Sequence, residues 1–134
     1  FFKETEPGEE LSWLADRLAT EDPGAVIVEV GRAGKEAHCV KALELFVSLY
    51  GAEAGNLALK TFATGGVYVG GGITPKILNA LSDGRFIEAF REKGRYVEWM
   101  SRIPIRVILR EDTALRGAAR FGLLVPATKK ARDA

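Results

Sequence analysis

Apolar residues recur at helical spacing through the first part of the chain. This pattern predicts a short amphipathic helix over residues 8–19. Asp22-Pro23 is typical of a helix start, because an acidic N-cap precedes a proline that has no N–H to leave unpaired. Residues 25–31 follow, and Val26-Ile27-Val28 would suit a strand equally well. We assign this segment to a helix.

The longest apolar face begins near Lys35 and continues with helical period to about Thr61. Gly51 and Gly55 interrupt it, although a glycine inside a helix costs about 1 kcal/mol relative to alanine. Their spacing places both on one side of a helix. Two interpretations stay open: another backbone packs closely against this side, or Gly51 ends one helix and starts the next.

The second half of the chain indicates short helices and two strands, separated by turns rich in glycine and proline. The predicted helices cover residues 75–81, 85–93, 95–101 and 114–121, and the predicted strands cover residues 67–69 and 103–109. Asp112 or Thr113 caps the last helix, and Gly122 with Pro126 ends it. Within that helix, Gly117-Ala118-Ala119 either lets another helix or a ligand approach or lies at a crowded core crossing.

The most specific pattern lies between residues 65 and 76, where a β-type run meets a glycine turn and a helix start. Consecutive glycines can adopt positive φ and let a flat or charged ligand approach the main chain. This layout is typical of a nucleotide-binding edge. The candidate nucleotide contacts are Gly70, Gly71, Gly72, Ile73, Thr74 and Lys76. The alternative is a tight connection that binds nothing, with Lys76 in solvent. Neither the Walker pattern nor G-x-G-x-x-G is present.

Composition narrows the class of protein. The 134 residues have the size of one domain, with 47% hydrophobic and 28% charged residues, as in a soluble globular protein. A net charge of +1 argues against strong nucleic-acid binding, and the basic residues at 129, 130 and 132 are typical of a solvated tail. A single cysteine, Cys39, excludes an intramolecular disulfide and fits a reducing cytoplasm. No apolar run reaches the roughly 18 residues of a membrane span, so we expect no membrane partner.

Other polar clusters do not predict a catalytic or metal site. Glu36, His38 and Cys39 lie close in sequence, but neighbouring helix positions point about 100° apart and do not converge as ligands. Paired acids such as Glu21-Asp22 and Glu111-Asp112 fit helix starts, where the dipole favours them. We therefore predict no protein-bound metal and no paired general acid and base.

Two segments in this order resemble the C-terminal part of bacterial glucokinases, which belong to the sugar kinase, heat-shock and actin superfamily. The first runs from Glu44-Leu45-Phe46 to Leu59, and the second is the glycine segment, residues 65–76. Gly94-Arg95-Tyr96 before the second strand, and residues 112–119, continue the likeness. The resemblance spans about residues 35–122, and residues 1–34 match only loosely.

The resemblance implies a fold and a role for each segment. It implies a mostly helical α/β piece of an actin-like (ribonuclease H-like) kinase domain, with a small parallel sheet of Val67–Val69 and Ile105–Leu109 joined by a right-handed crossover. Residues 65–73 would be the family's adenosine motif. Gly117 and Ala118 would lie in a connecting helix that crosses another during domain closure, with Asp112 as its cap. The family's antiparallel strands would precede Phe1, which leaves a sheet edge that a homodimer could cover.

The family's reaction needs residues that this chain does not show. The Asp-x-Gly-Gly-Thr phosphate loop, the sugar-binding residues and the catalytic aspartate belong upstream of Phe1, and the chain starts without methionine. We therefore expect a single partial domain over residues 1–134, with a flexible tail over 123–134. It would be a cytoplasmic fragment of an ATP-dependent glucokinase that uses Mg²⁺ with ATP, acts on glucose in glycolysis, and is inactive alone. The alternatives are a non-enzymatic sugar-responsive regulator of the same superfamily and an independent interaction module.

Overall fold

The computed structural model describes residues 11–124. The α-helices are α1 (Ser12–Thr20), α2 (Pro23–Arg32), α3 (Ala37–Thr61), α4 (Leu78–Leu81), α5 (Arg85–Arg91), α6 (Val97–Met100) and α7 (Thr113–Leu124). Two strands, β1 (Val67–Val69) and β2 (Ile105–Val107), and two 3-10 turns, Thr74–Ile77 and Gly94–Tyr96, complete this range. The predicted class, mostly helical with a small parallel sheet, is confirmed.

Helix α3 is the central element, and α5 packs across it at the two helix-interior glycines. A Cβ on Gly51 would collide with the carbonyl oxygen of Phe86, and a Cβ on Gly55 would collide with that of Phe90. The aromatic rings of both α5 residues are buried in the main core. The first interpretation of the glycine pair is therefore confirmed. The alternative, that Gly51 ends a helix, is wrong, because α3 runs unbroken from Ala37 to Thr61.

Residues 25–31 are helical as predicted and belong to α2, whose first turn is capped by Asp22. The carboxylate of Asp22 accepts a hydrogen bond from the N–H of Gly24 at 3.2 Å, and Pro23 occupies the first turn. Val26 and Val30 are each 1% exposed and form a second small core with Leu14 of α1. Packing on two neighbouring helices thus decides the segment that local propensity left ambiguous.

The two strands pair in parallel, as predicted, with Val67 opposite Ile105 and Val69 opposite Val107. The strand predicted over residues 103–109 is longer than the observed β2, because β1 supplies only three residues to pair with it. Val69 is buried against the helical core, whereas Tyr68 on the other face is 65% exposed. In residues 11–124 the sheet has no further strand.

The C-terminal helix α7 differs from the prediction in both length and surroundings. It continues through Gly122 to Leu124, so the prediction that Gly122 ends it is wrong. A glycine weakens a helix by about 1 kcal/mol but ends it only where the chain turns into another conformation. Leu123 and Leu124 are helical, and the flexible tail expected over 123–134 stays a prediction. Residues 125–134, with Pro126 and the basic residues, lie outside the described part.

Other boundaries shift by one to a few positions. The helix predicted over 75–81 begins as the 3-10 turn Thr74–Ile77 before α4, and the segment 95–101 likewise begins with Gly94–Tyr96 before α6. Within residues 11–124, no helix combines the length and apolar character that a membrane crossing requires.

Candidate functional site

The glycine turn leaves the C-terminal end of β1 with no side chain on its outer surface. Gly71 has φ +115°, a conformation that other residues rarely adopt, and a Cβ added there would meet no atom within 4 Å. Gly72 is equally open, whereas a Cβ on Gly70 would lie 3.1 Å from the Cδ1 atom of Ile108. The turn therefore presents bare backbone to the space in front of it at Gly71 and Gly72.

That space includes a cavity of about 470 Å³ between α2, α3 and the glycine turn. Apolar side chains from all three elements line it together with four charged side chains. The apolar lining is Ala25, Ile27, Val28, Ala42, Leu43, Phe46 and Ile73, with Gly24 and Gly72; the charged residues are Asp22, Glu29, Arg32 and Lys76. Such a mixture of apolar wall and few charges is typical of a small-molecule site.

The structure brings some of the predicted contacts to this cavity and leaves others out. Gly72, Ile73 and Lys76 line it, whereas Gly70, Gly71 and Thr74 do not. Nucleotide contact by any of these residues stays a prediction. The side chain of Thr74 is fully buried beneath the turn.

The wall contributed by α2 and α3 was not foreseen from the sequence. Ile27 packs against the small core and Val28 against the main core, and both also line the cavity, as does Phe46 of α3. The sequence of α2 contains one indication of this wall. Its apolar residues are too many for a single packing face, which predicts that a second face of the helix is also covered. The sequence alone does not say that this second face meets the glycine turn.

A tyrosine from α3 reaches under the turn. The hydroxyl of Tyr50 donates to the carbonyl oxygen of Gly70 at 3.4 Å and lies 3.5 Å from Oγ1 of Thr74. Its ring stands edge-on to that of Phe86, with centroids 5.7 Å apart, and the same centroid distance separates it from Phe46. Tyr50 thus connects the turn to α3, to which it belongs, and to α5, against which its ring packs.

The cluster of Glu36, His38 and Cys39 forms a helix cap. The carboxylate of Glu36 accepts hydrogen bonds from the backbone N–H groups of His38 and Cys39 at 2.9 and 2.7 Å. Burial raises the pKa of Glu36, but these hydrogen bonds outweigh it and hold the pKa at about 2. Burial also raises the pKa of the Cys39 thiol to about 11. Residues 11–124 contain no group of three or more His, Cys, Asp or Glu that could hold a metal.

The predicted hinge residues lie on an exposed helix. Gly117 and Ala118 are both exposed on α7, and a Cβ added to Gly117 would meet nothing within 4 Å. The crowded core crossing is therefore absent from residues 11–124, and packing against another domain stays a prediction. Asp112 precedes this helix, and its hydrogen bonds from Arg110 and Arg116 lower its pKa.

Comparison with known proteins identifies the family of this chain. A sequence model of the glucokinase family matches residues 8–124. The chain belongs to the glucokinase family. It is 45% identical over 100 residues to the glucokinases of a Nostoc species and of a Synechocystis species, covering 75% of this chain in each case. The crystal structure of a glucokinase from an Antarctic psychrotroph aligns with a TM-score of 0.64 at 34% identity, over 71% of this chain and 30% of that one.

The family match covers most of this chain, whereas this chain covers only a small part of each relative. It begins at residue 8, so it includes α1 and α2, which the resemblance had matched only loosely. The chain spans less than a third of the curated relatives it matches, 29% of the Nostoc glucokinase and 28% of the Synechocystis one. All three elements that line the cavity, α2, α3 and the glycine turn, therefore lie within the glucokinase match.

Proposed function

We propose that this chain supplies part of the nucleotide site of an ATP-dependent glucokinase, as the C-terminal portion of a longer polypeptide. The observation that carries the proposal is the cavity between α2, α3 and the glycine turn, on a chain of this family. The parent would transfer the γ-phosphoryl group of Mg-ATP to glucose and form glucose 6-phosphate, a cytoplasmic step of glycolysis.

The chemistry of the cavity suits an adenosine group. A flat purine is stabilised by apolar contact, which Ile27, Phe46 and Ile73 would supply, and by close approach of a backbone without side chains, which Gly72 would supply. Lys76 also lines the cavity and carries a positive charge that favours phosphate oxygens. Mg²⁺ would arrive with ATP as part of the substrate, bound mainly by the phosphates.

The reacting groups would come from outside this chain. Phosphoryl transfer depends on in-line positioning of the acceptor hydroxyl and on charge neutralisation around the transferred group. The aspartate that lines the cavity, Asp22, accepts a hydrogen bond from the N–H of Gly24 at the start of α2. We expect the catalytic aspartate and the sugar-binding residues to come from elsewhere in the parent polypeptide. We therefore propose that the 134-residue chain alone does not phosphorylate glucose.

Release of ADP in the presence of glucose and ATP tests this function, measured in parallel for this chain and for a longer parent polypeptide. Activity in the parent alone supports the proposal. Activity in this chain would contradict the placement of the catalytic residues upstream. Inactivity of both would contradict the glucokinase function and favour the sugar-responsive regulator.

A matched pair of glycine variants tests the position of the nucleotide in the parent. Gly72→Leu places a side chain in the open space beside the cavity, whereas Gly122→Leu places one in open space on α7, away from the cavity lining. We expect Gly72→Leu to weaken ATP binding by at least about tenfold, equivalent to about 1.4 kcal/mol. Gly122→Leu should leave the affinity unchanged. Equal affinities in the two variants would contradict this location.

A further inference from the structure

The buried side of the glycine turn holds a small polar cluster that the nucleotide contacts do not explain. Thr74 is 0% exposed and is the one buried polar side chain in residues 11–124. A buried hydroxyl without a partner is costly, so it needs one. Its hydrogen-bonding partner is the hydroxyl of Tyr50, 3.5 Å away. No buried side-chain nitrogen or oxygen in the described range lacks a partner.

The directions of these hydrogen bonds follow from counting protons. Each hydroxyl has one proton to donate. Since Tyr50 donates to the carbonyl oxygen of Gly70, the Thr74 hydroxyl must donate to the oxygen of Tyr50. The result is a chain from Thr74 through Tyr50 to Gly70, which joins the two ends of the turn. Both distances are long for O–H···O contacts, so the connection depends on the position of the phenol.

The ring of Tyr50 is itself held in place by the helical core. It packs edge-on against Phe86 of α5 and beside Phe46 of α3, at centroid distances of 5.7 Å in each case. Phe46 in turn lines the cavity. The phenol therefore fixes the glycine turn relative to the opposite cavity wall, although Tyr50 itself does not line the cavity.

We propose that Tyr50 is a positioning residue for the nucleotide site, which holds the backbone of residues 70–74 at the correct distance from α3. The glycines give this turn no side-chain packing on its outer surface, so its order has to come from below. The proposal rests on the proposed function, because the bound molecule is taken to be ATP. It assigns to Tyr50 an effect on nucleotide affinity that acts through the turn.

The test measures the dissociation constant of Mg-ATP and the KM for glucose in the parent polypeptide. Tyr50→Phe keeps the ring and removes the hydroxyl, and we expect it to weaken ATP binding roughly three- to tenfold, as loss of one hydrogen bond does. The KM for glucose should change less than about twofold. Tyr96→Phe is the matched control, because Tyr96 is 43% exposed in the 3-10 turn Gly94–Tyr96 and does not line the cavity. It should bind ATP as the wild type does.

Variants of Thr74 separate positioning from a general effect on stability. Thr74→Ser keeps the hydroxyl and should keep the affinity, whereas Thr74→Val should weaken ATP binding as Tyr50→Phe does. The double variant should be no weaker than either single one, because both remove the same connection. A lower melting temperature with unchanged ATP affinity in Tyr50→Phe would overturn the proposal. Wild-type parent that binds no ATP would overturn the proposed function as well, so the two failures are distinguishable.

Discussion

Glycines do two opposite things in this molecule, on α3 and in the turn after β1. Gly51 and Gly55 lie in a closed interface, where the carbonyl oxygens of α5 occupy the space that a Cβ would need. Gly71 and Gly72 lie at an open surface, where a Cβ would meet nothing within 4 Å. The comparison teaches that absence of a side chain serves packing in one region and access in the other.

The two regions also depend on different forces. The α3–α5 contact buries aromatic rings, so its contribution is to the stability of the fold. The turn is open on its outer side and adjoins the cavity, so under the proposed function its contribution would be to ligand binding. Substitutions in the first region should change unfolding, and substitutions in the second should change affinity.

The largest effect is expected from Gly51→Ala. The new methyl group would collide with the backbone carbonyl of Phe86, which cannot move without displacing α5. We expect a loss of about 3 kcal/mol or more in the free energy of unfolding, the upper end of overpacking effects. Chemical denaturation of this chain measures it. A loss below about 1 kcal/mol would break the comparison, because the interface would then tolerate a Cβ.

The next effect concerns the cap that begins α3. Glu36→Gln should lower stability by about 1–2 kcal/mol at pH 6, because the cap is charged there. The pKa of Glu36 is lowered from 4.5 to about 2 in the folded chain, so its contribution is complete above pH 4.5 and is lost as the pH falls toward 2. Denaturation at pH 6 and pH 3 should therefore show a smaller difference between wild type and variant at pH 3.

A matched variant controls for the loss of a carboxylate elsewhere. Glu98 forms an exposed ion pair with Arg102. Glu98→Gln should change stability by less than about 1 kcal/mol at either pH, as exposed pairs do. If Glu36→Gln behaves like Glu98→Gln, the cap does not anchor α3.

A similar or slightly smaller effect is expected from Gly71→Ala, for a different reason. The space is open, but a residue with a Cβ is strained at φ +115°. We expect a cost of about 1–2 kcal/mol, from backbone strain alone. Thermal unfolding of this chain measures it, with Gly72→Ala as the control, since no positive φ constrains Gly72. Equal melting temperatures for the two variants would remove the distinction between these neighbours.

The smallest effect, and one of opposite sign, is expected from Gly117→Ala. This glycine is helical and exposed, with open space around it. Alanine should stabilise α7 by up to about 1 kcal/mol, because it restricts the unfolded chain and favours the helix. A higher denaturation midpoint in this chain is the expected result. A lower midpoint would show that α7 is crowded at this position.

Much of the fold was predictable, and the exceptions have identifiable causes. Periodicity placed α3 and α5, and the parallel pairing of Val67–Val69 with the second strand was predicted as well. The hydrophobic periodicity did not decide whether Gly51 ends a helix, because a glycine at a helix end and a glycine at a helix crossing look alike in sequence. The predicted helix end at Gly122 is wrong for the same reason, because α7 continues through it.

Some residues of the candidate site were likewise predictable from the sequence, and others were not. Gly72, Ile73 and Lys76 were predicted from local pattern, and they line the cavity. Ile27 and Phe46 were not, because they lie far from the glycine turn in sequence and approach it only through packing. Nucleotide contact by Thr74 stays a prediction, and the structure adds that its side chain is buried with its hydroxyl 3.5 Å from that of Tyr50.

The sequence by itself determined the helical periods, the glycine turn and the family, because each depends on residues close together in the chain. Only the tertiary structure decided which glycines are closed and which are open, and which walls face each other across the cavity. The physical reason is that a Cβ at Gly51 or at Gly72 meets atoms from distant segments or none at all. Local sequence carries no record of those distant atoms.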